Sequence, residues 1–333
     1  MKNILLTGGT GYIGSHTAVE LLEKGYSVVA YDNLCNSSKD VVDAVNKITG
    51  KKLEFIKGDI LDFDALDKAF SKHKFDAVIH FAGLKAVGES VEKPLEYYEN
   101  NVGGTIQLLK VMKKHNVSKI VFSSSATVYG SPKSLPIFED FELGTTNPYG
   151  ETKLMIEHIL QDYAGADKNF TAVILRYFNP IGAHSSGLIG EDPNGIPNNL
   201  APYIAQVIEG KREHLNVFGN DYPTIDGTGV RDYIHVVDLA LGHVAAIENV
   251  TTPSSHIYNL GTGNGTSVFQ LVGAFEKACG KKVPYKVASR RQGDIAACYA
   301  NADKAKIELN WQATRSVDEM CGSIINFIDA KKN

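Results

Sequence analysis

The sequence has few cysteines, little net charge and no long apolar run. Its four cysteines (Cys35, Cys279, Cys298 and Cys321) form no CxxC pair and no cluster with histidine. This argues against a metal site or a disulfide framework and favours free thiols in a reducing compartment. A formal charge of −4 gives no reason to expect nucleic acid or anionic lipid as a partner. No apolar run approaches a membrane span, and the chain enters a strand-like run at Asn3, so we expect no signal peptide and a cytoplasmic location.

The first structural signal is a strand, a glycine-rich loop and a helix. A buried strand is predicted at 4–6, and Gly8, Gly11 and Gly14 follow it before a helical pattern begins. Such glycines allow the backbone to approach a pyrophosphate, which the helix N-terminus then binds. Asp32, at the end of the second predicted strand, suits the ribose hydroxyls of NAD and would repel the 2′-phosphate of NADP. The alternative is an incidental glycine-rich turn.

Strand–helix alternation continues to about residue 180. Polar or small residues follow each strand, where a doubly wound sheet binds its ligand. Asp59 and Lys85 stand at such places, either as ligand contacts or as ordinary loop charges. Further strands are predicted at 53–57, 77–81, 120–122 and 171–177, and 257–260 is expected to return to the sheet.

We therefore predict an α/β fold: a doubly wound parallel Rossmann sheet with a smaller α+β substrate-binding lobe. At 333 residues, the chain exceeds the usual size of one core. The NAD-binding domain is expected over 1–180, with a return segment near 231–260, and the discontinuous substrate lobe mainly over 181–333. Because residues 181–231 are rich in Gly, Pro and Asn, we expect them to form loops that enclose a substrate.

Tyr149 and Lys153 lie four residues apart on a helix predicted to end near Ala164, so their side chains share one face. The reference pKa of a phenol is about 10, and a nearby cation lowers it by about 1–3 units. We therefore expect Lys153 to lower the pKa of Tyr149 and make it a proton-transfer group, as hydride chemistry at an alcohol carbon requires. The alternative is an exposed Tyr/Lys pair on a solvated helix.

Two predicted helices, 94–115 and 149–164, carry apolar stripes at three- to four-residue spacing. Leu95 and Ile106 belong to the first stripe and Ile156 to the second. The stripes either form a four-helix seam between two copies of the chain or pack within one subunit.

Arg231 and Arg291 stand in polar segments of the second half of the chain. Guanidinium groups from separate segments can grip a diphosphate through forked hydrogen bonds. Salt bridges at the surface or between the lobes are the alternative for each arginine.

Longer motifs identify a family. They are TGGTGYIGS at 7–15, YDNLCN at 31–36, FAGLKAVGES at 81–90, SSSATVYG at 123–130, RYFNP at 176–180 and DGTGVRDYIH at 226–235. On these motifs, nearly the whole chain resembles the extended short-chain dehydrogenase/reductase family, and within it the enzymes that epimerise UDP-hexoses at C4.

The resemblance implies a role for each matching position. The catalytic residues would be Ser125, Tyr149 and Lys153. The NAD site would contain Gly8, Gly11, Tyr12, Ile13, Gly14, Asp32, Asn33, Leu34, Cys35, Asn36, Asp59, Ile60, Phe81, Ala82, Lys85, Asn100, Tyr149, Lys153 and Tyr177. The UDP-sugar would contact Ser125, Ala126, Thr127, Tyr149, Phe178, Asn179, Asn198, Asn199, Leu200, Asn216, Val217, Phe218, Arg231, Tyr233, Arg291, Asp294 and Cys298, with the two arginines on its diphosphate.

The implied activity is the reversible, NAD-dependent conversion of UDP-galactose to UDP-glucose through a transient 4-keto sugar. Tyr149 would take the proton of the 4-hydroxyl while C4 transfers its hydride to NAD. The keto sugar would then turn about the diphosphate and be reduced on its other face. Members of this family retain NAD tightly and usually assemble as homodimers.

Cys298 refines the expected substrate. Similar family members carry either a tyrosine or a small residue at this position, and the small form resembles enzymes that also accept N-acetylated sugars. We therefore expect UDP-GalNAc and UDP-GlcNAc as further substrates. The alternative is a small packing residue with no part in specificity.

Three other functions are alternatives to this one. A nucleotide-sugar 4,6-dehydratase or decarboxylase needs carboxylates just before Val128, where this sequence has Ala126 and Thr127. A dehydrogenase would release NADH and need NAD as a stoichiometric oxidant. A non-catalytic NAD-binding sensor would have no need of all three catalytic residues together.

Overall fold

The computed structural model of the protein describes residues 2–193, 195, 197, 199–291 and 294–332. Its β-strands are β1 (Asn3–Thr7), β2 (Ser27–Asp32), β3 (Glu54–Lys57), β4 (Ala77–His80), β5 (Lys119–Ser125), β6 (Thr171–Tyr177), β7 (Asn179–Ile181), β8 (Leu215–Phe218), β9 (Val230–His235), β10 (Ser255–Leu260), β11 (Gly265–Ser267), β12 (Tyr285–Ala288) and β13 (Ala297–Cys298). Its α-helices are α1 (Tyr12–Glu23), α2 (Asp40–Thr49), α3 (Phe63–Lys72), α4 (Val87–Glu92), α5 (Pro94–Tyr97), α6 (Gly104–Lys114), α7 (Pro148–Ala166), α8 (Leu200–Ile208), α9 (Val236–Asn249), α10 (Val268–Cys279), α11 (Asp303–Glu308) and α12 (Val317–Ala330). A π-helix spans Tyr98–Gly103, and a 3₁₀-helix spans Ala126–Tyr129.

The largest sheet is parallel and has the strand order β3-β2-β1-β4-β5-β6-β10. Ile4, Leu5 and Leu6 are fully buried in β1, as expected of a strand covered on both faces. The chain order reverses at β1, so a crevice opens above the carboxyl ends of β1 and β4, where doubly wound sheets bind ligands. The predicted Rossmann sheet is confirmed, and β10 is the predicted return strand.

Helices cover both faces of this sheet. One core layer includes Leu21 of α1 and Leu239 of α9, and the opposite layer includes Leu66 of α3, Leu108 of α6 and Leu160 of α7. Apolar layers on both faces of the sheet therefore support the carboxyl ends of its strands, which is where doubly wound sheets bind ligands.

A second, smaller core contains Ile204 of α8, Phe275 of α10 and Met320 of α12. It lies with two small sheets, one of β7, β9, β11 and β13 and the other of β8 and β12. The expectation of loops throughout 181–231 was wrong, because α8 and β8 lie within that range. Ala201, Ile204 and Val207 form a buried helical face that the flanking Gly, Pro and Asn residues obscure in the sequence.

The long helix predicted at 94–115 is divided into α5, the π-helix and α6. Within the π-helix, Asn101 exchanges hydrogen bonds with the backbone of Leu84 (2.8 and 3.0 Å) and donates to Thr152 Oγ1 (3.0 Å). The wider turn places Asn101 between the loop after β4 and α7, and such π-helical turns are frequent at functional sites. In the described part of the chain, no helix has both the length and the apolar composition of a membrane span.

Candidate functional site

The glycine loop brings the start of α1 close to the ends of β1 and β4. Gly8 has a φ of +70°, and a Cβ there would lie 2.7 Å from the backbone nitrogen of Ala82. A Cβ on Gly14 would lie 2.3 Å from the Gly8 carbonyl oxygen. Gly11 precedes α1 without a side-chain cap, which leaves the helix N-terminus open to an anion. Of the other predicted residues here, Tyr12 donates its hydroxyl to Gly182 O (2.6 Å), and Ile13 packs against the adjacent core.

Asp32 lies at the end of β2, beside the glycine loop. Its carboxylate accepts the backbone N–H groups of Thr10 (3.2 Å) and Leu34 (2.9 Å) and the hydroxyl of Ser37 (3.3 Å). A carboxylate has about four acceptor positions, so Asp32 retains acceptor capacity for a ribose hydroxyl. Asn33 donates to Asp59 at the end of β3 (2.9 Å). Of the other predicted residues at this edge, Cys35 and Asn36 are exposed and Ile60 is buried.

The end of β4 supplies the next group of predicted cofactor residues. The N–H groups of Phe81 and Ala82 donate to the last carbonyl of β1 (2.9 and 3.1 Å). Lys85 Nζ lies 3.5 Å from Glu191 Oε1, so this loop is paired with the segment before α8. Asn100 lies in the π-helix and donates to the following asparagine (2.9 Å).

Ser125, Tyr149 and Lys153 meet at the ends of β5 and α7. Asn147 caps α7 by accepting a backbone N–H of its first turn (2.9 Å), so Tyr149 and Lys153 lie in the first two turns of this helix. The three side chains are 8%, 7% and 5% exposed. Lys153 Nζ donates to Ser123 O (2.8 Å) and lies 5.9 Å from the centre of the Tyr149 ring. The structure therefore brings the three predicted residues together and excludes the exposed-pair alternative.

The predicted lowering of the Tyr149 pKa below the ordinary value of a phenol was wrong for the chain by itself. Burial raises the pKa of Tyr149 well above its ordinary value, because the phenolate would lose its hydration, and Ser125 only partly opposes this effect. Burial also lowers the pKa of Lys153 to about 8. Tyr177, at the end of β6, further raises the pKa of Tyr149. A phenolate at this position therefore needs additional positive charge.

The small sheet of β7, β9, β11 and β13 places four predicted substrate residues beside one another. Asn179 of β7 is paired with Tyr233 of β9, and Arg231 of β9 is paired with Cys298 of β13. Cys298 packs against a cluster that includes Phe178 and residues that follow Ser125 in the sequence. Strand pairing thus joins the arginine side of the site to the side that contains Ser125.

Arg231 and Arg291 share the carboxylate of Asp294. Arg291 donates to Asp294 Oδ2 (3.1 Å) and lies over the Phe218 ring (4.6 Å). Arg231 Nη2 lies 3.9 Å from Asp294 Oδ1, and its Nη1 donates to Ile295 O (3.0 Å). The salt-bridge alternative is therefore present, yet two guanidinium groups on one carboxylate leave net positive charge for a diphosphate.

The remaining predicted substrate residues are distributed over several elements. Ala126 and Thr127 begin the 3₁₀-helix, and Thr127 Oγ1 is buried without a hydrogen-bond partner in the described residues. Asn199 is exposed before α8, Leu200 begins that helix and Asn216 is half-buried in β8. The side chains of Val217 and Tyr233 lie in the second core. Asn198 lies outside the described residues.

Sequence reasoning missed two buried charged residues beside this site. Glu157 and Arg176 form an ion pair (2.6 Å) with side chains 0% and 1% exposed. The available signal was the spacing of Tyr149, Lys153 and Glu157, each four residues apart, which puts all three on one face of α7.

The sheet, the glycine loop and the Ser–Tyr–Lys arrangement define an extended short-chain dehydrogenase/reductase, and the family model described as GDP-mannose 4,6 dehydratase matches residues 5–324. The UDP-glucose 4-epimerase of Bacillus subtilis (strain 168) is 63% identical over 319 residues, which cover 96% of this chain and 94% of that protein. The chain therefore belongs to the UDP-glucose 4-epimerase family.

Solved structures agree with this assignment. The UDP-glucose 4-epimerase from Bifidobacterium longum, in complex with NAD+ and UDP, has a TM-score of 0.97 and 56% identity over 100% of this chain and 99% of that chain. The enzyme from Stenotrophomonas maltophila, with bound NAD and formylated UDP-arabinopyranose, has a TM-score of 0.98 and 47% identity over the same shares. The family resemblance predicted from the motifs is confirmed.

Proposed function

We propose that this protein interconverts UDP-galactose and UDP-glucose by NAD-dependent epimerisation at C4, through a transient 4-keto sugar. The observation that carries the proposal is that Ser125, Tyr149 and Lys153 are buried close together, near the carboxyl ends of the strands of the large sheet. The paired arginines Arg231 and Arg291 supply the complementary site for a nucleotide diphosphate.

The residues at this edge fit NAD. Gly8 and Gly14 leave no room for a side chain, the start of α1 has no side-chain cap, and Asp32 retains acceptor capacity. Asp32 would repel a 2′-phosphate, which favours NAD over NADP. Tight retention is supported by the Lys85–Glu191 pair, which ties the loop after β4 to the second lobe. Bound NAD would accept the hydride of C4 and return it.

Tyr149 is the proposed base and acid. It takes the proton of the sugar 4-hydroxyl, and the Lys153 ammonium and the Ser125 hydroxyl both favour its phenolate. Burial gives Tyr149 a high proton affinity, so it holds the proton while the sugar is in the keto form. The same proton then returns to the oxygen on C4 when the ring is reduced from its other face.

Binding of the nucleotide is proposed to be firm and binding of the sugar loose. Arg231 and Arg291 would exchange their shared partner, Asp294, for the diphosphate, which offers several charged oxygens. Charge-assisted forked bonds of this kind are among the stronger hydrogen bonds in proteins. An anchored diphosphate leaves the keto sugar free to turn over.

We also propose that UDP-GalNAc and UDP-GlcNAc are substrates. Cys298 is paired with Arg231 and packs beside Phe178, and a thiol there occupies much less volume than a tyrosine. The alternative is that Cys298 is a packing residue alone, and a selective loss of these substrates in Cys298→Tyr would exclude it.

A homodimer is proposed from the apolar surface of helices α4 to α7. Val91, Leu95 and Met155 are 63%, 80% and 38% exposed, and α4 and α5 both contact α7. The apolar stripes predicted from the sequence lie in two different environments: Ile156 is buried in the core of the subunit, whereas Leu95 is exposed at its surface. Sedimentation of the wild type and of Leu95→Asp would test this, with a monomeric wild type contradicting it.

The division into an NAD-binding domain at 1–180 with a return near 231–260, and a substrate lobe mainly at 181–333, is likewise a proposal. It is supported by the separate core around α8, α10 and α12. A cytoplasmic location is proposed because all four cysteines are free thiols.

Incubation with UDP-galactose, without added NAD, tests the main proposal. NMR should show UDP-glucose appearing, together with bound NAD in the purified protein. A product that is a 4-keto-6-deoxy sugar would indicate a dehydratase. NADH accumulating only with added NAD would indicate a dehydrogenase, and NAD binding without any turnover would indicate a sensor; each of these outcomes contradicts the proposal.

A further inference from the structure

Glu157 is a fully buried carboxylate one helical turn beyond Lys153. Arg176 donates to it through Nε (3.1 Å to each oxygen) and Nη2 (2.6 Å to Oε2). The hydroxyl of Ser124 donates to its Oε1 (2.5 Å). Three hydrogen-bonding groups from two strands therefore converge on one residue of the catalytic helix.

The strands concerned end in residues of the proposed site. Ser124 directly precedes Ser125 at the end of β5, and Arg176 directly precedes Tyr177 at the end of β6. Glu157 thus ties the ends of β5 and β6 to α7. Arg176 extends the network by donating to Oη of Tyr129 (3.0 Å), the last residue of the 3₁₀-helix that follows Ser125. The Tyr129 hydroxyl in turn donates to Asn259 of β10 (2.6 Å).

Stability alone does not account for a buried ion pair at this place. Replacing such a pair by apolar residues of similar volume is often neutral or stabilising, because both charges must be desolvated. A carboxylate with fixed hydrogen bonds does, however, hold three segments in one geometry and places a negative charge beside the catalytic lysine.

We propose that Glu157 is a positioning residue of the epimerase site: it holds the ends of β5 and β6 against α7 and so fixes Ser125 and Lys153 relative to Tyr149. The proposal rests on the proposed function. A displacement of reacting groups by about 1 Å can lower the rate about 10²-fold. A residue that fixes three segments of the site is therefore expected to have a large effect on kcat.

The charge of Glu157 acts on Lys153 against burial, which lowers the pKa of that lysine to about 8. Without Glu157, the proton affinity of Lys153 falls further. The other titratable or charged groups that face Lys153 or its immediate contacts are Tyr149 of α7, His80 of β4, Arg176 and Tyr177 of β6, Tyr97 of α5 and His243 of α9. The His80 pKa is lowered to about 3 and the His243 pKa to about 4, so both imidazoles are neutral throughout the alkaline range.

Glu157→Gln in the NAD-loaded protein tests the proposal. We expect the alkaline limb of the kcat profile to move to lower pH by about one unit, with a lower kcat at neutral pH and little change in KM for UDP-galactose. Asp238→Asn is the matched control, because Asp238 is also a buried carboxylate paired with an arginine, Arg315, but lies on α9. The control is expected to lose stability without moving the pH profile.

A second readout needs no catalysis. Lys153 has a pKa of about 8 in the folded chain and about 10.4 when unfolded, so unfolding takes up a proton between these values and stability rises with pH there. Comparison with Lys153→Met isolates that contribution. In the Glu157→Gln background, the rise should begin at lower pH.

A folded Glu157→Gln protein with the wild-type pH profile and the wild-type stability window would overturn the proposal. Where this variant does not fold, Glu157→Gln/Arg176→Gln removes both charges and Ser124→Ala removes one strand attachment; wild-type profiles in both would overturn it equally. A wild-type protein that binds NAD but does not epimerise would instead contradict the proposed function, and the stability comparison would still test the coupling of Glu157 to Lys153.

Discussion

The Lys153 ammonium lies 5.9 Å from the centre of the Tyr149 ring and donates its hydrogen bond to the carbonyl of Ser123. Burial disfavours the charged form of both side chains, so the pKa of Tyr149 is raised while that of Lys153 is lowered. The ordinary pKa values of a phenol and a lysine are nearly equal, at about 10 and 10.4, so burial drives the two proton affinities apart. In the chain by itself, Tyr149 therefore keeps its proton at a pH at which Lys153 has lost its own.

The first prediction concerns the alkaline limit of activity. Because the pKa of Lys153 is about 8, kcat should decline as pH rises through that value: the ammonium is lost and the phenolate of Tyr149 loses its support. The measurement is kcat with saturating UDP-galactose across neutral and alkaline pH. Lys153→Met should give a low rate without this limb, and a wild-type profile that stays flat well above pH 8 would refute the assignment.

The second prediction separates two neighbouring arginines. Arg291→Met should raise the KM for UDP-galactose about 10- to 100-fold with a small effect on kcat, as expected from loss of a hydrogen bond to a charged group worth about 1.5–3 kcal/mol. Arg290→Met is the control, since Arg290 is paired with Asp221 at the surface and lies over Tyr222 (4.0 Å). Equal increases in KM for both variants would show that Arg291 has no special part in nucleotide binding.

Features carried by adjacent residues could be predicted from the sequence. The run at 4–6, the glycines after it and Asp32 all lie within one strand–helix–strand unit, so their spacing alone predicts both fold and ligand edge. The proximity of Tyr149 and Lys153 could be predicted equally well, because helical spacing fixes which side chains share a face.

Features that depend on distant contacts could not be predicted in this way. The raised pKa of Tyr149 follows from burial by several elements, which the local pattern of charge does not reveal. The sharing of Asp294 by Arg231 and Arg291 requires β13 to pair with β9. The helix α8 was missed because its buried face comprises only a few residues between segments rich in Gly and Pro.

The third prediction tests the glycine loop. Gly14→Ala should give protein with little or no bound NAD, because the new Cβ would lie 2.3 Å from the Gly8 carbonyl and force the loop away from its position. Nucleotide released on denaturation measures the NAD content. Gly273→Ala, in α10, is the control: its Cβ meets nothing within 4 Å, so it should retain NAD and gain up to about 1 kcal/mol in helix stability. Normal NAD content in Gly14→Ala would contradict the proposed placement.

The last prediction concerns the range of sugars. Cys298→Tyr should reduce turnover of UDP-GalNAc at least about tenfold relative to UDP-galactose, since an acetamido group that no longer fits loses binding worth about 1–3 kcal/mol. The ratio of kcat/KM for the two substrates is the measurement, because it is unaffected by a loss of folded protein common to both. Cys298→Ser keeps the small volume and should leave the ratio unchanged. If Cys298→Tyr also left it unchanged, or if the wild type did not turn over UDP-GalNAc, Cys298 would be a packing residue whose size has no part in choosing the sugar.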